Sequence, residues 1–283
     1  MKDNKPKWGW EIKPETTWLG SGLKELLSYR DLLIRLVRKE FLTSYQQTLL
    51  GPFWVLLQPI LSVLTYVLVF NKVIGIPTDG VPSFLFYLIG IVLWNLFSEL
   101  FLSTSLTFKQ NVAIFSKVYF PRILAPLSTL LLNGLRFFIQ LLFLIIVLIY
   151  CYFSNKVQLN LSHVFMVIPV IIVTAGIGFG AGLIFSVLTV KYKDLTNLLQ
   201  LFIRLLMFVC PIFYSLSMVP DKHKWLANLN PLSSQFEFFR YAFLGKGYVS
   251  GSQFIYSSVF MILLVLSGIL IFNKLTDKLM DVA

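Results

Sequence analysis

The chain is poor in the residues from which catalytic and metal sites are built. Its 283 residues include two histidines, two cysteines and thirteen carboxylates, and charged residues make up only 13% of the total, against ~25% in an average soluble domain. His163 and His223 lie far apart with no carboxylate cluster beside them, which argues against a histidine-based triad or metal site. Cys151 and Cys210 both sit inside apolar runs, so neither a disulfide framework nor a thiolate metal site is indicated. No GxxxxGK(S/T) phosphate loop occurs, so the chain is not by itself a P-loop ATPase. The carboxylates outside the apolar runs offer no pair suited to glycosyl transfer, as a membrane-embedded glycosyltransferase or polymer ligase would need. The formal charge of +11 is not accompanied by a basic, aromatic nucleic-acid module. It reads instead as a topology signal and an attraction to anionic lipid.

What the chain does have is apolar length. With 57% hydrophobic and 16% aromatic residues, it is an integral membrane protein, and its expected fold class is all-α. A crossing of ~30 Å at 1.5 Å per residue takes about 20 residues. Six stretches approach or exceed that length: 53–70, 83–108, 123–153, 163–190, 195–216 and 254–273. Ahead of them, residues 1–27 form a polar tail in which Trp8, Trp10 and Trp18 stand among lysines, suited to a membrane or partner surface or to no fixed structure. Residues 28–50 read as an amphipathic interfacial helix: Leu33, Val37, Phe41 and Tyr45 recur every four positions and Arg30, Arg35, Arg38 and Lys39 fall largely elsewhere. Ser28 with Asp31 outlines a capping box. Residues 51–283 then make up the six-span membrane domain.

Charge sets the orientation. Lys109, Lys117, Arg122, Lys191 and Lys193 occupy loops on one side, with Lys72 and Lys156 on the other, and the first 50 residues carry nine lysines and arginines without an early apolar core. Both termini are therefore expected in the cytosol.

Several positions stand out against this apolar background. Pro59, inside the first span, removes a backbone donor and leaves a carbonyl for a neighbouring helix to satisfy. Gly176, Gly178, Gly180 and Gly182 form two overlapping small-xxx-small pairs that favour close helix packing over a hinge. Glu99, Arg136 and Arg204 fall within spans, where each charge costs ~2.5–3.5 kcal/mol on insertion scales and is usually paired or functional. Arg204, and less directly Arg136, carries a guanidinium that matches phosphate geometry; snorkelling or an ion pair with Glu99 is the structural alternative. Tyr66, Tyr87, Trp94 and Tyr214 are candidate path-lining aromatics, with core packing or lipid contact as the competing role. Between the last two spans, Leu232 to Gly245 is too short to cross and carries Glu237 and Arg240 three residues apart; with Pro211, Pro220, Asn230 and Pro231 it suggests re-entrant helices at an outer mouth, or a loop lying on the bilayer. On the opposite side, NVAIFSKVYFPRILAP (Asn111 to Pro126) is a basic break between two long apolar segments.

Four ordered segments carry a family resemblance: SYQQTLLGPFWVLLQP (44–59), NVAIFSKVYFPRILAP (111–126), KYKDLTNLLQLFIRLLMFVCPIFY (191–214) and NPLSSQFEFFR (230–240). Together they resemble successive signatures of type 2 ABC export permeases, above all the polysaccharide exporters of the Wzm and TagG kind. The resemblance implies six-span subunits forming a homodimer with two copies of a separate cytosolic ATPase, in a bacterial cytoplasmic (inner) membrane. ATP and Mg would be held by that partner and no cofactor by this chain. The cargo implied is a polyprenyl diphosphate-linked polysaccharide, of the O-antigen or teichoic acid type, moving through the dimer interface. By the same resemblance the 111–126 loop forms a coupling helix in the ATPase, with Asn111, Phe115, Lys117, Tyr119, Phe120, Pro121 and Arg122 as contacts, and the segment before the last span forms outer gate helices. A type 2 permease for drugs or small lipids shares much of this architecture.

Overall fold

The computed structural model of the protein describes residues 27–115, 120–157, 161–247 and 249–280, and every regular element among them is helical. α1 (Arg30–Tyr45) is the amphipathic helix. It turns Leu36 inward and leaves Arg30, Arg35, Arg38 and Lys39 exposed. Tyr29, rather than the expected Ser28, occupies its N-cap position and makes no side-chain cap; Asp31 lies 3.8 Å from Arg30 at the surface.

The first span is composite. A 3₁₀ turn (Gly51–Phe53) leads into α2 (Trp54–Tyr66), which runs on as a π-helical stretch (Val67–Val73). Pro59 sits inside α2. Its missing N–H frees the carbonyl of Val55 four residues earlier, and that oxygen accepts a hydrogen bond from Gln140 Nε2 of another helix at 3.3 Å.

α3 (Ser83–Phe115) is the central helix of the subunit, packed by α2, α4 (Leu124–Phe153) and α5 (Val167–Lys191). Its N-terminal part is buried almost continuously from Leu85 to Leu93. The glycines of α5 explain how close it approaches its neighbours. A Cβ on Gly182 would lie 2.6 Å from Thr104 Cβ of α3, and one on Gly180 would lie 2.7 Å from the backbone of Leu264 in α9 (Gly251–Met280). These glycines are packing contacts on two opposite sides of α5.

The expected fifth crossing, 195–216, is shorter than its apolar run. Helix α6 (Leu195–Val209) stops after 15 residues, about 22 Å and so less than the ~30 Å hydrocarbon thickness. Cys210 takes an extended conformation (φ −77°, ψ 145°), the geometry imposed on a residue that precedes proline, here Pro211. Five helical segments among the described residues are long and apolar enough to cross: Gly51–Val73, Ser83–Asn111, Leu124–Phe153, His163–Lys191 and Gly251–Leu275. After a 3₁₀ turn (Leu216–Met218) come α7 (Asp221–Leu229) and α8 (Pro231–Leu244). α7 exposes Trp225, Leu226 and Leu229, whereas α8 is buried on nearly all sides. Asn230 caps α8 by accepting from Leu232 N, Pro231 fills its first position, and Gly245 ends it in the left-handed region at φ 63°, the sequence asymmetry expected of helix ends.

Candidate functional site

A polar pocket interrupts the apolar wall where α1, α2, α3 and α4 meet. Ser44 and Tyr45 come from α1, Trp54, Val55 and Gln58 from α2, Glu99 from α3, and Arg136 and Gln140 from α4, enclosing about 310 Å³. Arg136 Nη1 lies 3.9 Å from Glu99 Oε2. Its Nη2 donates to Ser44 Oγ at 3.2 Å, and the guanidinium sits 5.6 Å from the Tyr45 ring centroid. Gln140 is fixed at both ends of its amide: Nε2 donates to Val55 O, and Oε1 accepts from Asn95 Nδ2 at 3.2 Å. The intramembrane ion pair thus uses Arg136; Arg204 does not meet Glu99.

Sequence reasoning found the charges of this site and missed its amides and rings. Gln140 inside an apolar run, and Val55 four residues before Pro59, were the available signals. Beside the pocket, Glu40 of α1 accepts from Ser128 Oγ at 2.9 Å, docking α1 onto α4. Burial raises the Glu40 carboxyl above its ordinary pKa, and the Ser128 hydrogen bond with the Lys39 and Arg136 charges offsets part of that rise.

A second polar group holds the chain where α6 breaks. Arg240 Nη1 donates to Glu237 Oε1 at 2.9 Å, with both side chains almost wholly buried. Arg240 Nη2 donates to the carbonyl of Pro211, and Glu237 Oε1 also accepts from Leu216 N at 3.1 Å. The guanidinium lies 4.2 Å from the Phe86 ring centroid of α3. Backbone polar groups left outside a helix in an apolar setting need such partners. Asn230 adds to this junction by donating to Cys210 Sγ at 3.4 Å. Of the expected outer-gate positions, Pro211, Asn230, Pro231, Glu237 and Arg240 therefore converge on the break, while Pro220 is exposed at the start of α7.

The aromatic candidates separate. Tyr87 and Trp94 are buried within the subunit on α3, so they pack its core; Trp94 lies 5.6 Å from Phe97. Tyr66 is half-buried, edge-on to Phe213 at 4.9 Å, with its hydroxyl 3.7 Å from Met207 Sδ. Tyr214 donates to Val209 O at 3.0 Å and thereby braces the end of α6. Arg204 is exposed on α6 amid exposed Leu201, Phe202, Leu205 and Phe208. Only Leu199 and Ile203 of that helix are buried, and behind it lies an apolar cavity of about 490 Å³ lined by Phe97, Phe101, Phe185, Phe202, Leu206 and Phe260 among others.

At the opposite end of α3, only part of the basic loop falls among the described residues. Phe120 and Pro121 are buried, and Phe120 belongs to an apolar cluster with Phe108, Leu124, Leu183 and Phe272. Phe120 thereby anchors the end of the loop to the helices of its own chain. Asn111 is half-buried and donates to Thr107 O at 2.9 Å as part of α3, which continues to Phe115. Arg122 is partly exposed; Lys117, Tyr119 and the Phe115 side chain lie outside the described residues.

These features define a multi-pass membrane protein with a polar pocket among α1 to α4 and an apolar run broken at Cys210, and with no cluster of three metal-ligating side chains among the described residues. The sequence profile of the ABC-2 type transporter family matches residues 31–244. The chain belongs to that family and is a Wzm-like type 2 ABC permease. It is 30% identical over 258 residues to an O-antigen export system permease protein RfbA of Klebsiella pneumoniae, covering 89% of this chain and 95% of the relative. A second Klebsiella pneumoniae RfbA is 28% identical over 256 residues with the same coverage. The Myxococcus xanthus RfbA is 28% identical over 216 residues, covering 75% of this chain and 80% of the relative.

Proposed function

We propose that this chain is the membrane subunit of an exporter that moves a polyprenyl diphosphate-linked polysaccharide from the cytosolic to the outer face of a bacterial cytoplasmic membrane. It works as a homodimer with two copies of a separate ATPase, which binds ATP and Mg. The observation that carries this reading is similarity along 89% of the chain to O-antigen export permeases. The absence of a phosphate loop from the sequence requires a separate energy source.

The exposed faces support a second copy. α2 presents Leu61 and Leu64, and α6 presents Leu198, Leu201, Phe202, Leu205 and Phe208 around Arg204. An arginine turned toward lipid there would cost ~2.5–3.5 kcal/mol on insertion scales; against an aqueous path between subunits it would not. On this reading Arg204 meets the lipid diphosphate, and the α6 break with α7 and α8 forms the outer gate. The basic loop transmits ATPase motion to α3 and α4, both termini are cytosolic, and α1 lies along the inner headgroups.

Co-expression with a P-loop ATPase encoded beside this chain tests the assembly: the two copurify, and deleting either abolishes surface polysaccharide. Arg204→Gln is expected to lower export and substrate-stimulated ATPase activity together; unchanged values for both would remove its assigned role.

A further inference from the structure

The pocket of Glu99, Arg136 and Gln140 is more than an ion pair holding two helices together. A purely structural pair in a membrane is expected to be close and saturated with hydrogen bonds, because desolvation is otherwise uncompensated. Here the contact is single and long, at 3.9 Å. Arg136 Nε is buried without a partner, and among the described residues the Glu99 carboxylate accepts no side-chain hydrogen bond, although it has about four acceptor positions. Gln58 is exposed toward the pocket and its amide is not engaged by the described residues. Trp54 is 43% exposed at the rim.

Charge and geometry select the ligand. Glu99 and Arg136 cancel, so the site has no excess positive charge for a phosphate, and a phosphate beside Arg136 would also face the Glu99 carboxylate. The remaining groups mix donors and acceptors: two amides, a serine hydroxyl and a tyrosine hydroxyl. That mixture matches hydroxyls, which donate and accept at once, while an exposed indole offers an apolar face to a ring. The volume of about 310 Å³ is at the small end of the ~300–1,000 Å³ typical of ligand sites, suited to a single ring.

Depth points the same way. Glu99 lies about 24 Å along α3 from Ser83, and Arg136 about 26 Å along the antiparallel α4 from Phe153, so both sit at one level. In a hydrocarbon layer of ~30 Å that level is close to the boundary on the α1 side, and Ser44 and Tyr45 of α1 form part of the pocket.

We propose that this pocket binds the sugar ring attached directly to the lipid diphosphate, holding the glycan's first residue at the inner boundary of the membrane by hydrogen bonds to Glu99, Arg136, Gln58 and Gln140 and by stacking on Trp54. This inference rests on the exporter reading above. Gln140 is preset by its bonds to Val55 and Asn95, so Pro59 contributes to the site by freeing the Val55 carbonyl.

The test uses the purified permease–ATPase complex in nanodiscs and two radiolabelled probes: a polyprenyl diphosphate carrying one hexosamine, and the same polyprenyl diphosphate without sugar. The wild type is expected to bind the sugar-bearing probe at least about fivefold more tightly, the equivalent of one hydrogen bond. Gln58→Ala and Trp54→Ala change exposed side chains, and each is expected to remove about fivefold of that preference while leaving the bare probe's affinity within about twofold. Equal binding of both probes by the wild type, or an undiminished preference in both variants, overturns the proposal. So does displacement of the sugar-bearing probe by phosphatidylglycerol at equal concentration, which would mark a lipid-headgroup site. Failure of the exporter reading is separately visible: the wild-type complex would then move no lipid-linked glycan in proteoliposomes, whatever the pocket binds.

Discussion

Arg240→Ala should be among the single changes most damaging to stability. Arg240 and Glu237 side chains are 3% and 0% exposed, so truncating the arginine takes the guanidinium away from a buried carboxylate. It also orphans the Pro211 carbonyl and removes the cation from the Phe86 face. Breaking a buried pair from one side costs about 3–5 kcal/mol. The double variant Glu237→Gln/Arg240→Met removes both charges, keeps an amide oxygen for Leu216 N and roughly preserves volume. Its main remaining loss is the orphaned Pro211 carbonyl, about 1–3 kcal/mol, so it should be about 2 kcal/mol less destabilised than the single variant. SDS titration of the purified protein in mixed micelles, followed by tryptophan fluorescence, reads both. Arg240→Ala within about 1 kcal/mol of wild type, or a double variant weaker than the single, would refute the assignment of this pair as the clasp of the broken span.

Three further outcomes follow from the packing and the interfacial helix. Gln140→Leu should cost about 1–3 kcal/mol by orphaning the Val55 carbonyl; in a Pro59→Ala background, which restores an N–H to that carbonyl, the same change should cost about 1 kcal/mol less, and an additive double-mutant cycle would contradict the compensation. Gly182→Ala places a methyl 2.6 Å from Thr104 Cβ and should cost about 1–3 kcal/mol in the same titration, whereas Gly134→Ala, with nothing within 4 Å, should be neutral or stabilising. Because burial raises the Glu40 carboxyl above 4.5, the folded state binds more protons than the unfolded one in the interval between 4.5 and the raised value, so this group's contribution falls as pH rises through that interval. Glu40→Gln keeps an acceptor for Ser128 and should be at least as stable as wild type at pH 8, with any advantage vanishing below pH ~4.5; the titration midpoint against pH checks the sign.

The crossings that were legible in the sequence are those whose length comes from uninterrupted apolar helix, such as Ser83–Asn111 and Leu124–Phe153. The difference at 195–216 has a local cause. Hydrophobicity runs unbroken through Val209, Cys210 and Ile212, so composition hides the end of α6, while the proline at 211 was the only signal of it. Pro59 was readable in both halves, as a lost donor and as a demand on another helix, but the identity of the donor, Gln140, required the fold. Charges were visible as costly residues without being visible as pairs: the register of α3 against α4 brings Arg136 to Glu99, and α6 carries Arg204 outward instead. Phe120 shows the same limit from another side. Its apolar ring in a basic loop suits a partner cleft or an internal anchor equally, and its place in one apolar cluster with Phe108 and Phe272 required the fold.

The most direct measurement of the central claim is transport itself. The permease and its neighbouring ATPase are reconstituted in proteoliposomes with a lipid-linked glycan on the ATPase side, and the glycan reaching the opposite leaflet is counted after ATP is added. ATP-dependent movement of the lipid-linked glycan, absent when the permease is omitted or the ATPase is inactive, is the predicted result. ATP hydrolysis without movement of any lipid-linked glycan, together with transport of a small amphiphile by the same vesicles, would contradict the account.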